Sequence, residues 1–151
     1  MLKKIAGIVW RNTPWRVRKN FTRLSQSKFT ASVAVVVFNE QNEVLLLDHV
    51  LRPQAGWAIP GGFMNFGEQP DQALRREICE EIGLKLKKLE MFRVRTIGKH
   101  IEILFRAESD GVAEVQSFEI NAVGWFKTDA LPEKMTQIQK SIVEELIRKS
   151  S

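Results

Sequence analysis

A chain of 151 residues with 44% hydrophobic side chains is long enough for one domain with a packed core and short for two, so one functional site is expected. The single cysteine, Cys79, excludes an intramolecular disulfide. The apolar run from Ile5 to Trp10 is too short for a cleavable signal sequence, and no stretch approaches the roughly 20 apolar residues that cross a bilayer, so a cytoplasmic setting is expected. The net charge of +5 is unevenly placed: the eight basic residues before Glu40 have no acidic counterpart, which leaves 15 basic against 18 acidic side chains, or −3, in the remainder.

In chain order, Leu2, Ile5, Ala6 and Val9 recur at helical spacing. "NTPW" then offers Asn12 or Thr13 as a cap with Pro14 at the first helical position, followed by Val17, Phe21 and Leu24 on one stripe. Residues 1–28 therefore read as two short basic amphipathic helices ahead of a domain spanning 29–151. "FTASVAVVVF", from Phe29 to Phe38, is β-branched and nearly continuously apolar, as a central strand requires, and "NEQN" turns it into "VLLLDHV" as a hairpin. "WAIP", from Trp57 to Pro60, reads as a short strand stopped by the proline and two glycines. Asp71 to Ile82 follows Pro70 without a breaker and ends at Gly83, which predicts a helix with a glycine C-terminal cap. "LEMFRVRTIG", "HIEILFRAE" and "NAVGWF" read as strands, and "LPEKMTQIQKSIVEELIRK" as a closing helix. Strands around one central helix, with a second at the end, predict an α+β domain with a layered mixed sheet.

On the predicted helix, Glu77, Glu80 and Glu81 stand at i, i+3 and i+4 and share a face, beside an apolar stripe of Leu74, Ile78 and Ile82. Three neighbouring carboxylates repel unless a cation joins them. They offer the hard oxygen ligands that Mg²⁺ or Mn²⁺ prefers, with no histidine or cysteine cluster in competition. Mg²⁺ commonly shares its coordination with substrate phosphates, and Gly61 and Gly62 allow backbone to come close to a metal or a phosphate.

The pattern G-x5-E-x7-R-E-U-x-E-E-x-G-U, with U a bulky aliphatic, is matched at every fixed position by Gly62, Glu68, Arg76, Glu77, Ile78, Glu80, Glu81, Gly83 and Leu84. In this the chain resembles the Nudix hydrolases. From average residue usage a chance match is on the order of one in a billion per starting position. "VAVVVFNEQNEVLLL", "WAIPGG" and "INAVGWFKTDALP" are similar to the strands around that motif. The resemblance implies an α/β/α sandwich and Mg²⁺-dependent hydrolysis of a nucleoside diphosphate linked to a moiety X. It implies Glu77, Glu80 and Glu81 as metal ligands, the Gly61 carbonyl as a further ligand, Arg76 as the residue orienting the carboxylates, and Glu68 as the brace between loop and helix. The general base is one of Glu77, Glu80 and Glu81 or a carboxylate outside the motif, with Glu119 the first choice.

Around the glycines, Arg52 is a candidate partner for a terminal phosphate, and Trp57 either stacks on a base or joins the core. Phe63 and Phe66 either cover a substrate or pack the loop. His49 and His100 read as strand or surface residues, and Cys79 as a small half-buried side chain. A nucleotide sugar such as ADP-ribose is the favoured substrate, with a (deoxy)nucleoside triphosphate next. The competing functional classes are a catalytically silent nucleotide-binding module and a peripheral adaptor that uses residues 1–28 on a membrane surface or nucleic acid. Packing of those residues within the chain or in a homodimer is favoured over either adaptor contact, because their apolar stripe needs burial.

Overall fold

The computed structural model describes residues 2–50 and 56–150. Its elements are α1 (Leu2–Asn12), α2 (Trp15–Ser25), β1 (Thr30–Phe38), β2 (Val44–His49), β3 (Trp57–Ala58), β4 (Gly61–Phe63), α3 (Pro70–Ile82), β5 (Lys87–Ile97), β6 (His100–Glu108), β7 (Ile120–Phe126) and α4 (Gln137–Ser150). The strands form one mixed seven-stranded sheet, ordered β3-β2-β1-β6-β5 with β4 joined to β1 and β7 to β2. Helix α3 covers one face and α4 the other.

The two cores explain why β1 reads as an unbroken apolar run. Val33, Val35 and Val37 pack with Leu74, Ile78 and Ile82 of α3. Ala34, Val36 and Phe38 pack with Ile142, Val143 and Leu146 of α4. Residues alternate along a strand, so a strand covered on both faces must be apolar at every position. Strand β2 divides its side chains the same way, Leu45 and Leu47 toward α3, Val44 and Leu46 toward α4. Each such side chain contributes roughly 1.5–3 kcal/mol on burial. This is the expected α/β/α sandwich.

The expected hairpin holds only at its base, where Phe38 pairs with Val44 and Asn42 turns the chain at φ 57°. Beyond that pair β1 and β2 part, and residues 57–63 bond to each in turn. Strand β3 joins β2 through Leu47–Ala58, while β4 joins β1 through Ser32–Phe63, Val33–Gly62 and Ala34–Gly61. The two glycines therefore lie within a short strand and do not end one. On its other side β1 runs parallel to β6, from Thr30–His100 to Phe38–Glu108.

Three local expectations change. Pro14 occupies the N-cap position of α2, which has no side-chain cap, because the Thr13 hydroxyl donates instead to the Val9 carbonyl at 2.8 Å. Helix α4 begins at Gln137, since Pro132 to Met135 form a turn closed by Met135 N–H on the Pro132 carbonyl. Cys79 is exposed. It follows Asp71 and Arg75 at successive four-residue steps along the solvent side of α3, so the helix phase turns it away from the sheet. Among the described residues no helix is long and apolar enough to cross a membrane.

Candidate active site

Residues 57–64 are fixed by bonds to β1 and to α4. Val35 N–H donates to the Pro60 carbonyl at 2.9 Å, Ile59 N–H to Gln139 Oε1 at 3.1 Å, and Met64 N–H to the Ala31 carbonyl at 3.0 Å. Gly61, at φ 156°, lies so close to β1 that a Cβ there would come within 2.2 Å of the Val33 carbonyl oxygen. At Gly62 a Cβ would stand 2.3 Å from Cδ of Glu77, so the Gly62 backbone rests on that carboxylate. Only glycine permits either approach.

The loop then enters α3 through a capping box between Gln69 and Gln72, with Pro70 at the start, and the helix ends at Gly83, whose N–H donates to the Cys79 carbonyl at φ 66°. Both ends follow the sequence signals. Residues 110–119 cross the helix C-terminus: Gln116 N–H donates to the Glu81 carbonyl at 2.8 Å and Glu114 N–H to the Ile82 carbonyl at 3.1 Å.

Arg76 is the hub of the site. Its guanidinium donates to Glu68 Oε1 at 2.9 Å and Oε2 at 3.1 Å, to Glu77 Oε1 at 2.8 Å, to Glu80 Oε2 at 3.3 Å and to the Phe63 carbonyl at 3.2 Å. Five contacts of this kind use the planar fork fully, and a lysine cannot reproduce them. Its bonds to Glu68 and Glu77 hold the guanidinium proton more tightly than usual. Arg76→Lys is expected to lower kcat about tenfold by loosening Glu77, as steady-state turnover would show; unchanged kcat would mean that the carboxylates orient without it.

Glu68 has the complementary shift. Arg76 first, then the Asn65 N–H at 3.0 Å, hold its carboxyl below the ordinary glutamate range. Because the unfolded chain takes up this proton at a higher pH than the folded one, the pair's stabilisation is complete at neutral pH and is lost as pH falls through the lowered pKa. Melting temperature followed against pH is therefore expected to drop less steeply on the acid side in Glu68→Gln than in the parent. Identical slopes would remove Glu68 from the acid response.

Glu77 is mostly enclosed, Glu80 projects outward with 62% of its side chain exposed, and Glu81 is buried at 8% exposure. Glu81 is carried inward because it continues the Leu74–Ile78 line of α3. Among the described residues no three ligand side chains already converge on one point, since Arg76 draws Glu77 and Glu80 to itself. The donor set still fits a hard divalent cation: three carboxylates on one turn, one of them buried, beside a glycine backbone pressed against another.

Beside Gly61 and Gly62 opens a cleft of about 140 Å³, also lined by Ser32, Phe63, His100, Glu102 and Gln139. Phe63 is 61% exposed and meets His100 edge to face, with ring centroids 5.7 Å apart. The imidazole is held by the Thr30 hydroxyl at 2.7 Å and the Ser32 hydroxyl at 2.8 Å, and Glu102 is paired with Arg95. Ser32, His100 and Glu102 do not read as cleft residues in the sequence, because the parallel pairing of β1 with β6 leaves no local pattern, and Gln139 reaches the cleft from α4.

The remaining candidates lie elsewhere. Trp57 packs edge to face on Phe126 at 4.7 Å, against the core beneath α4, and borders a separate cavity with Asp48, His49 and Lys134. Phe66 is fully exposed. Glu119 is exposed, and its carbonyl accepts from Val50 N–H at 2.8 Å. It follows Gln116 by three residues on the loop that crosses α3. Arg52 lies outside the described residues.

The family model described as NUDIX domain matches residues 28–146. A MutT-like protein of Streptomyces ambofaciens is 30% identical over 111 residues, 72% of this chain and 71% of that protein. The NAD-capped RNA hydrolase NudC of Erwinia tasmaniensis is 26% identical over 123 residues, 80% of this chain but 47% of that protein, so the chain spans about half the length of this relative. A MutT NUDIX hydrolase from Burkholderia pseudomallei superposes with a TM-score of 0.69 at 26% identity, covering 79% of this chain and 98% of that one. The NUDIX domain of Shewanella oneidensis NrtR, solved with ADP ribose, gives the same TM-score, 0.69, over 85% of this chain and 92% of that one, and at 17% identity the likeness is one of fold. With a domain match that takes in the whole loop and helix around Arg76, and a relative at 30% identity over most of both chains, this protein belongs to the Nudix hydrolase family.

Proposed function

We propose that the protein is a Mg²⁺- or Mn²⁺-dependent pyrophosphohydrolase that cleaves the phosphoanhydride bond of a nucleoside diphosphate linked to a second moiety, with ADP-ribose or another nucleotide sugar favoured and a (deoxy)nucleoside triphosphate next. The observation that carries this reading is the Glu77 carboxylate seated on the Gly62 backbone, at the edge of the cleft and within the Arg76 network. Glu77, Glu80 and Glu81, with the Gly61 carbonyl, would hold the cation. The cation, when bound, supplies positive charge beside the phosphate oxygens and acidifies a coordinated water. Arg76 and Glu68 position the carboxylates, and Glu119 takes the proton from outside the helix or leaves that task to a carboxylate upon it. Phe63 and His100 present aromatic edges to the nucleoside side of the substrate, while Arg52 remains a candidate phosphate partner.

The preference for ADP-ribose draws on chemistry named for two of the similar proteins, ADP ribose in one and NAD-capped RNA in the other. Both are nucleoside diphosphates that carry a further group. With this reading goes a cytoplasmic setting, with residues 29–151 as the catalytic domain. Phosphate-coupled turnover of ADP-ribose, NADH, diadenosine polyphosphates, CDP-alcohols, nucleoside triphosphates and 8-oxo-dGTP, with and without Mg²⁺ or Mn²⁺, tests the reading. Metal-dependent hydrolysis led by ADP-ribose is expected. Metal binding without turnover of any compound would favour a silent binding module instead.

A further inference from the structure

We propose that α1 and α2 form a docking surface for an anionic lipid bilayer, a property separate from the hydrolytic site. The apolar residues of these helices do not join either core of the domain among the described residues. Ile8 is 53%, Val9 61%, Trp15 60%, Val17 55% and Leu24 80% exposed. Helices that are this apolar on one side and this basic on the other suit the boundary between headgroups and acyl chains. Lys3, Gly7 and Arg11 fall on one line of α1, away from Ile8 and Val9. On α2, Arg16, Lys19 and Arg23 line one side, while Val17 and Leu24, seven residues apart, line another. Lys19 lies over the Trp15 ring at 5.4 Å, which places that indole on the basic side of α2, at headgroup level and opposite Val17 and Leu24.

Charge selects the occupant. All eight charged side chains before Glu40 are basic. A second copy of this segment would bring like charge against like, whereas a bilayer rich in anionic headgroups supplies the missing counter-charge. Nucleic acid would satisfy the cations but leaves Ile8, Val9, Val17 and Leu24 without a role. The linkage to the domain at Thr30 would hold the catalytic sandwich beside the lipid surface.

Co-sedimentation of the full chain with phosphatidylglycerol-containing vesicles, against pure phosphatidylcholine vesicles, tests the proposal at low and high salt. Binding at least about tenfold tighter to the anionic vesicles, weakened by salt, is expected. Arg16→Glu with Lys19→Glu and Arg23→Glu should lose at least about tenfold, and so should Val17→Asp with Leu24→Asp. Neither set touches the core, so circular dichroism and turnover of the domain should be unchanged. Equal partition into both kinds of vesicle overturns the proposal, as does binding that neither set of substitutions weakens. It is also overturned by a vesicle-free dimer that Val17→Asp with Leu24→Asp abolishes, which would place a second copy on this face. Single-stranded RNA bound more tightly than the vesicles, with no loss in that apolar variant, would assign the face to nucleic acid.

Discussion

Replacing Glu81 with glutamine is expected to lower kcat by roughly a thousandfold while leaving the melting temperature unchanged or raised. The substitution keeps the shape of the side chain, which is 8% exposed against the α3 face of the sheet, and the Gln116 N–H bond to its backbone carbonyl does not depend on the side chain. What changes is charge. A carboxylate carried into a helix–sheet interface costs solvation energy that an amide largely avoids, so a residue kept there for structure alone would be a poor choice. Loss of activity without loss of stability is the signature of a group retained for chemistry. Turnover at saturating divalent metal, alongside thermal unfolding of parent and variant, reads both quantities. Full activity in Glu81→Gln would remove Glu81 from the site, and collapse of the fold would assign it a structural role.

The parts of this site that were legible beforehand are those written in consecutive residues. Pro70 at a helix start, Gly83 at its end and the phase of Leu74, Ile78 and Ile82 are local signals, and α3 follows them within one residue. The same holds for β1, because coverage on both faces leaves a mark at every position. At Cys79 two local signals conflict: its residue type predicts burial, its place four residues after Arg75 predicts exposure, and the helix phase prevails. Other features depend on chain segments that meet only in the fold. His100 approaches Ser32 because β6 runs parallel to β1, a pairing between residues 68 positions apart. Gly61 and Gly62 read as a stop, and they become a strand because β1 and β2 part company above Phe38 and Val44. A parting of two strands has no signature in either of them. The loop ahead of Glu119 is anchored on α3 by Glu114 and Gln116, which act there as backbone donors and are hence invisible in side-chain chemistry, while Glu119 itself bonds to Val50.

The two adjacent glycines should respond to the same substitution in opposite ways. Gly61→Ala would set a methyl group 2.2 Å from the Val33 carbonyl oxygen and 2.6 Å from Ala34 Cα, at a backbone φ of 156° that side chains rarely adopt. Those neighbours are backbone atoms of a central strand, which cannot move without opening the β1–β4 pairing. A loss of about 3 kcal/mol of folding stability is expected. Gly62→Ala instead meets the far end of a side chain, the Glu77 carboxylate, at 2.3 to 2.6 Å. That group can swing away, so the fold should survive with a cost nearer 1 kcal/mol. The displaced carboxylate would leave its Arg76 contact at 2.8 Å, and with it the position from which it serves the cleft. Activity should then fall by about a hundredfold, the scale on which small misplacements of reacting groups act. Denaturant unfolding and metal-saturated turnover of the two variants separate the cases. An active Gly62→Ala enzyme would mean that the place of the Glu77 carboxylate on the glycine backbone is not needed for turnover.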